Sequence, residues 1–352
     1  MMPPGFSDLR DLAGRAAIIT AVVVAIALLV ALITMTADVL LQVFAGLLLA
    51  VLLSTAADAL AGVSKLPRGA ALAVVVLTTL LVLAGTGKAL WPSLSEQVDE
   101  LARQLPAAVR ELQGWMEGRE WGRWLLGRAE PGLMVDESGV MDRATGALMS
   151  TVSALTALVV VLFVGLYVAA QPALYHSGLR RLVPPRGRPR LDAVLLEIVG
   201  VLRWWLVGTL VSMTCVGVLT TLGLWWLDVP LALALGLLAA VMTFIPNFGP
   251  VISVLPPTLI ALADDPGDAL YVLALYGAIQ MIESYAITPL IQRRTVAMPP
   301  ALTIIAQVIL GLLVGPIGLV VATPLTAVAM TAIRTLYVED LLEKPGLTAA
   351  SG

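Results

Sequence analysis

The apolar residues of this chain are gathered into long runs that short polar stretches separate. A helix rises about 1.5 Å per residue and needs about 20 apolar residues to cross the hydrocarbon core of a bilayer. Six runs meet this length: residues 16–35, 39–61, 69–91, 151–170, 204–226 and 270–290. The pattern therefore predicts an all-α integral membrane protein with about six full transmembrane helices.

Two further apolar stretches are interrupted. Residues 230–263 break at Pro246-Asn247-Phe248-Gly249-Pro250, and residues 301–333 break at Gly315-Pro316. Each arm reaches only about 20–26 Å, which is less than the hydrocarbon thickness of about 30 Å. We therefore predict two broken, re-entrant helical hairpins, which bring the apolar segments to eight. Two short tilted spans in each stretch would give the same pattern.

The pattern changes between the third and fourth runs, where charged residues alternate with apolar ones at helical spacing. The apolar positions are Leu94, Val98, Leu101, Leu105, Val109 and Leu112. This stripe predicts an amphipathic helical insertion outside the lipid core, over residues 92–148. The remaining regions are three N-terminal helices (1–91), a fourth helix (149–171), a basic connection (172–203), a C-terminal transport region (204–335) and a tail (336–352).

Charged residues indicate how the chain is oriented. Lys65, Arg68, the arginines of residues 180–190, Arg293 and Arg294 all fall on one side of the predicted path. Acidic residues and the insertion fall on the other side. Because basic loops stay in the cytoplasm, we predict a multi-pass protein of a bacterial inner membrane with both termini cytoplasmic.

Composition narrows the function classes. Hydrophobic residues make up 59% of the chain and charged residues 13%, against about 25% charged in soluble domains. The formal net charge of −3 gives no reason to expect nucleic-acid binding. One cysteine and one histidine allow neither an internal disulfide nor a histidine-based metal site. Without an HExxH string or paired aspartates within the spans, we predict no enzyme and no cofactor.

The interruptions are the first candidate for chemistry. Irregular backbone at membrane depth persists only where it is buried in protein or lines a wet cavity. Prolines stop the helices, glycine permits a tight turn, and asparagine adds a donor and an acceptor. The candidate transport-path residues are Pro246, Asn247, Gly249, Pro250, Gly315 and Pro316. A plain helix–turn–helix between two spans is the structural alternative.

Glu283 is the second candidate, and Gln280 shares its helical face. An acid at the centre of a transmembrane helix costs about 2.5–3.5 kcal/mol on insertion scales. Such a residue is expected to carry a proton or to pair with a sodium ion. The alternative is an interhelical hydrogen bond or ion pair, for which Arg203 is a candidate partner.

The C-terminal half resembles the autoinducer-2 exporter family of bacterial membrane proteins, also called permease-like proteins. The string Phe244-Ile245-Pro246-Asn247-Phe248-Gly249-Pro250, the spacing Gln280…Glu283…Pro289 and the run 311–324 carry the resemblance. It implies transport. Some relatives are associated with export of the furanone signal autoinducer-2, and others with sodium/proton antiport. The resemblance also implies a homo-oligomer, whose assembly the stripe over residues 94–112 would serve.

Three functional hypotheses follow. The first is a secondary exporter of a small polar solute similar to autoinducer-2. The second is a Na⁺(Li⁺)/H⁺ antiporter with Glu283 as the coupling acid. The third is a membrane scaffold that transports nothing. Opposed broken hairpins are typical of inverted-repeat transporters, which favours the first two.

Overall fold

The computed structural model describes residues 6–118, 140–287, 289 and 298–342. The elements in this part of the chain are helical. They are α1 (Phe6–Ser64), α2 (Arg68–Glu117), α3 (Val140–Ala170), α4 (Pro172–Arg181), α5 (Arg188–Trp226), α6 (Ala232–Met242), α7 (Phe248–Asp264), α8 (Pro266–Ile282), α9 (Pro300–Val314) and α10 (Pro316–Ile333). A 3₁₀ turn at Pro185–Gly187 precedes α5, and π-helical segments at Glu283–Ile287 and Arg334–Leu342 follow α8 and α10.

Several of these helices match the bilayer in length and composition. Within the described residues, five are long and apolar enough to cross a membrane, and a sixth is present if a bent pair counts as one span. The five are Thr36–Ser64, Arg68–Lys88, Pro185–Trp226, Gly267–Ile287 and Pro316–Val338. The helices α6, α7 and α9 are apolar but shorter. The predicted all-α membrane fold is confirmed.

The N-terminal region differs from the prediction of two separate spans. A single helix, α1, runs from Phe6 to Ser64 with no turn near Asp38. A helix of this length extends about 88 Å. The linking residues 36–38 contain neither glycine nor proline, so nothing in the local sequence stops the helix. The polar interruption of the hydropathy pattern is real, but it does not reverse the chain.

The predicted insertion is likewise continuous with the span before it. Helix α2 passes from the third apolar run into the amphipathic stripe and ends at Glu117. Its distal half docks on the C-terminal part of the protein. The Gln97 Oε1 atom accepts a hydrogen bond from the backbone N–H of Ala234, at 3.0 Å, in the first turn of α6. Leu101 packs against an apolar core built from α5, α6, α7 and α8.

The first broken hairpin is formed by α6 and α7. The observed break covers residues 243–247, and Phe248, Gly249 and Pro250 already belong to the first turn of α7. The turn therefore lies three residues earlier than the sequence pattern suggested. Asn247, with φ of 69° and ψ of −49°, forms the tight turn that was expected of Gly249. This is the geometry of a γ-turn, which the hydrogen bond from the Phe248 N–H to the Pro246 carbonyl closes, and Gly249 serves packing instead.

The second broken hairpin is formed by α9 and α10, and its turn lies at the predicted position. Gly315 has φ of 73° and ψ of −151°, a combination that is essentially confined to glycine. Pro316 follows at the first position of α10, where its missing N–H costs nothing. The two arms are unequal, because the π-helical segment extends α10 to Leu342.

Helix α5 occupies the centre of the described fold. It packs against α1, α6, α8 and α10. At its crossing with α6, Gly236 lies against Thr221, and a side chain at Gly217 would lie 2.7 Å from the Cβ atom of Ala240. Small residues at such crossings allow close helix packing within a membrane. The predictions for residues 119–139, Arg293, Arg294 and the tail beyond Leu342 lie outside the described residues.

Candidate transport site

A proline leaves one carbonyl free at the tip of the first hairpin. Pro250 has no N–H, so the carbonyl of Pro246 lacks the donor that a helix would supply from four residues later. The Gln307 Nε2 atom of α9 donates a hydrogen bond to that oxygen at 2.8 Å. The Phe248 N–H donates to the same oxygen at 2.9 Å. The second hairpin therefore completes the hydrogen bonding of the first.

Asn247 joins the same cluster. Its Nδ2 atom donates to the Gln307 Oε1 atom at 3.3 Å, and its side chain does not cap α7. Gln307 also donates to the Thr323 Oγ1 atom of α10 at 3.4 Å and has no exposed surface. Asn247 is exposed. The tip cluster, made of Pro246, Asn247, Gln307 and Thr323, thus connects the interior of the protein to its surface.

The apolar side of the same tip is held by α5. The rings of Trp205 and Phe244 meet edge to face with centroids 5.6 Å apart. Gly249 approaches the backbone of the opposite arm so closely that an added Cβ atom would collide with the Met242 carbonyl. The tip is consequently fixed on three sides, by an aromatic contact, by the buried glutamine and by backbone packing.

A second freed carbonyl lies further along α7. Pro257 is buried within this helix and cannot donate to the Ser253 carbonyl. The hydroxyl of Tyr276 on α8 donates to that oxygen at 3.2 Å. The polar face of α8 carries Tyr276 and Gln280 and continues to Glu283. Its first residue, Tyr276, therefore contacts the first hairpin.

Glu283 lies where α8 changes into a π-helical segment that packs against α5. Its carboxylate accepts hydrogen bonds from the Gln280 Nε2 atom, at 3.2 Å, and from the hydroxyl of buried Ser212 on α5. The ion pairs of the described residues do not join Glu283 to Arg203. Ser212, Gln280 and Glu283 together form the acid cluster. Short π-helical segments, such as the one that begins at Glu283, are frequent at functional sites.

The structure separates the predicted residues into two clusters and a separate turn. Pro246, Asn247 and Pro250 belong to the tip cluster or support it, whereas Gln280 and Glu283 form the acid cluster. Gly315 and Pro316 lie at the far end of α9, about 12 Å along the helix from Gln307. Sequence reasoning missed Gln307, Thr323 and Ser212. Two signals in the sequence could have identified Gln307. A proline four residues after a carbonyl requires a replacement hydrogen-bond donor, and Gln307 is a long amide side chain within an apolar helix.

Comparison with known proteins places this arrangement in a family. The profile of the AI-2E family transporters matches residues 18–337, which is most of the chain and includes both hairpins and both clusters. The chain belongs to the AI-2E transporter family. The resemblance inferred from the sequence is therefore confirmed, and the chain is a membrane protein of a transporter family.

Individual relatives of this AI-2E transporter match over most of their length. The AI-2 transport protein TqsA of Escherichia coli (strain K12) is 28% identical over 286 residues, which cover 77% of this chain and 78% of TqsA. The protein YrrI of Bacillus subtilis (strain 168) is 26% identical over 274 residues, covering 75% and 77% of the two chains. The matches span two thirds or more of each relative, so they concern the whole architecture.

Proposed function

We propose that this protein is a secondary transporter that exports a small polar solute, similar to autoinducer-2, across the bacterial inner membrane. The observation that carries the proposal is the tip cluster, in which an exposed Asn247 is bonded to a fully buried Gln307. An exposed amide facing lipid would be costly, whereas an amide lining a wet cavity is not. The printed name of TqsA supports the choice of solute.

The cluster also suits the chemistry of such a solute. A small polyhydroxylated molecule needs a few donors and acceptors in an otherwise apolar passage. Asn247 supplies both, and its bond to Gln307 is long enough at 3.3 Å to exchange for a bond to solute. Three further predictions belong to the same proposal: Gly315 and Pro316 as part of the transport path, a cytoplasmic C-terminus and a homo-oligomeric assembly. The predicted cytoplasmic N-terminus does not fit the unbroken α1, because a single helix that crosses the membrane once has its two ends on opposite faces.

Aqueous access to Asn247 tests the proposal directly. In a Cys215→Ser background, Asn247→Cys in reconstituted vesicles is expected to react with a membrane-impermeant maleimide. Autoinducer-2 is expected to slow that reaction. The matched control is Leu312→Cys, an apolar position on α9 that is 83% exposed and is expected to face lipid. A cysteine at position 247 that stays sealed from reagents on both faces would overturn the proposal.

The acid cluster favours a second candidate, the Na⁺(Li⁺)/H⁺ antiporter. Ser212, Gln280 and Glu283 gather hydroxyl, amide and carboxylate oxygens of the type that binds hard monovalent cations. Vesicles that contain a pH dye are expected to respond to added sodium if this function holds, and Glu283→Gln is expected to abolish the response. Glu96→Gln, an exposed carboxylate on α2, is the control. A sodium response that survives Glu283→Gln excludes this coupling role.

A further inference from the structure

Helix α4 has a geometry that transport does not explain. It follows α3 after an elbow of 87° at Gln171. The C-terminal half of α3 is part of a predicted span, and transmembrane helices tilt on average by about 20° from the bilayer normal. A helix perpendicular to α3 must therefore run close to the plane of the membrane. Its length of about 15 Å is too short to cross the bilayer.

The two faces of α4 differ in chemistry. None of its residues is buried by the rest of the described chain. One face carries Leu174, Tyr175 and Leu179, which are 59%, 43% and 47% exposed, and Leu182 beyond the end is 82% exposed. On α3, the helix before the elbow, Phe163 and Tyr167 are also exposed, at 57% and 59%. Exposed apolar side chains therefore occur on both sides of the elbow.

The opposite face is held against α5. The His176 Nε2 atom lies 2.9 Å from the Asp192 Oδ1 atom, and the Arg180 Nε atom lies 3.4 Å from it. The Arg180 contact is an ion pair, and the imidazole of His176 lies against the same carboxylate oxygen; neither N–H is aligned for a hydrogen bond. Arg188 donates from its Nε atom to the carbonyls of Arg180 and Val183 at the end of α4. The polar face of α4 contacts α5, whereas the apolar face contacts no other described helix closely enough to be buried.

From this arrangement we propose that α4 is an in-plane membrane helix that binds anionic phospholipid. Its apolar face lies in the boundary between headgroups and acyl chains, and Arg181 and Arg186 meet the phosphates. Short amphipathic helices with basic residues occupy this depth, and each basic residue near an anionic surface strengthens the attraction. The proposal rests on the membrane fold and not on the identity of the transported solute.

Depth-dependent quenching tests the placement of α4. Two full-length single-cysteine variants in the Cys215→Ser background, Tyr175→Cys and Ala173→Cys, place a fluorophore on nearly opposite sides of the helix. In phosphatidylcholine vesicles with added phosphatidylglycerol, a lipid with a shallow nitroxide is expected to quench the label at 175. Aqueous iodide is expected to quench the label at 173. Iodide quenching at 175 overturns the proposal. So does a label at 175 that neither quencher reaches, because a second protein copy then covers the face.

The lipid charge is tested with the same label. Energy transfer from position 175 to headgroup-labelled phosphatidylglycerol is expected to exceed transfer to headgroup-labelled phosphatidylcholine. Arg181→Gln with Arg186→Gln is expected to reduce the preference by about fivefold per arginine at low salt. Arg103→Gln on the distal half of α2 is the control and is expected to leave the preference unchanged. Equal transfer to both lipids in the parent protein refutes the assignment of anionic lipid.

Discussion

At the scale of single residues, two of the described polar contacts follow from prolines of α7. Pro250 and Pro257 each free one carbonyl, and a side chain from another helix donates a hydrogen bond to each of these two carbonyls. Gln307 and Tyr276 are those side chains. The sequence allowed Pro246, Asn247 and Pro250 to be predicted because breaks in apolar runs are visible locally. Gln307 was not predicted, because its partner lies sixty residues away and only tertiary packing brings them together.

Replacement of Gln307 by methionine should reveal its contribution. The change keeps most of the volume of the side chain but leaves the Pro246 carbonyl and the Asn247 amide without their partner. We expect a loss of about 1–3 kcal/mol in the free energy of unfolding, because buried polar groups are left unpaired. Solute export should fall in parallel, measured in vesicles.

The control for this change is Gln104→Met. Within the described part of the chain, its amide bonds to Glu100 on the same helix, at 2.8 Å. Thermal unfolding in detergent should therefore change little. If Gln307→Met and Gln104→Met behaved alike in both stability and export, the tip cluster would have no role in either.

At the scale of elements, helix type was predictable and helix ends were not. The apolar runs predicted the long described helices, but not α4, which lies in the predicted basic connection. Helices α1 and α2 continue through positions where the hydropathy pattern changes, and α2 continues even through Pro92. A change of hydropathy reports a change of surroundings and does not by itself end a helix. The turn at Gly315 was predicted correctly because glycine and proline mark it together. The turn before Phe248 was displaced because Asn247, and not Gly249, took the positive φ of the turn.

Gly249→Ala should test the packing of the first hairpin. A methyl group at this position meets the Met242 carbonyl, which belongs to the backbone and cannot swing aside. Such overpacking costs about 1–3 kcal/mol, so the melting temperature in detergent should fall. Gly277→Ala on α8 is the control, since a side chain there meets no atom within 4 Å. Its melting temperature should stay constant or rise slightly, because alanine favours helix. A larger effect at position 277 would contradict this account.

At the scale of the whole molecule, both N-terminal helices pack on the C-terminal part, and Leu48 of α1 lies in one buried core with Trp205 of α5. The distal half of α2 reaches the first turn of α6 through Gln97 and the apolar core through Leu101. The amphipathic stripe was predicted from its spacing. The surface on which the stripe docks was not predicted, because the spacing of apolar residues does not distinguish packing against the same chain from packing against a second copy. Val98, on the same stripe, is 53% exposed and remains uncovered in the single chain.

Leu101→Ala should separate these two sides of the stripe. Leu101 is partly buried against the core, so its truncation is expected to cost about 1–2 kcal/mol of unfolding free energy. Val98→Ala, about one turn earlier, should change the stability of the monomer by less than half of that amount. Denaturation in detergent with both variants provides the measurement. Equal losses at the two positions would show that α2 does not dock as described.

The unbroken course of α2 has a mechanical consequence. Helix α2 has 50 residues, about 75 Å along its axis, and is attached near its middle to the start of α6, so that it can act as a lever. Displacing its far end by a few ångströms would tilt the fastened point and strain the short helix that leads to Asn247. A molecule that binds the distal end of α2, an antibody fragment for instance, would therefore change the conformation around Asn247 without contacting the proposed transport site.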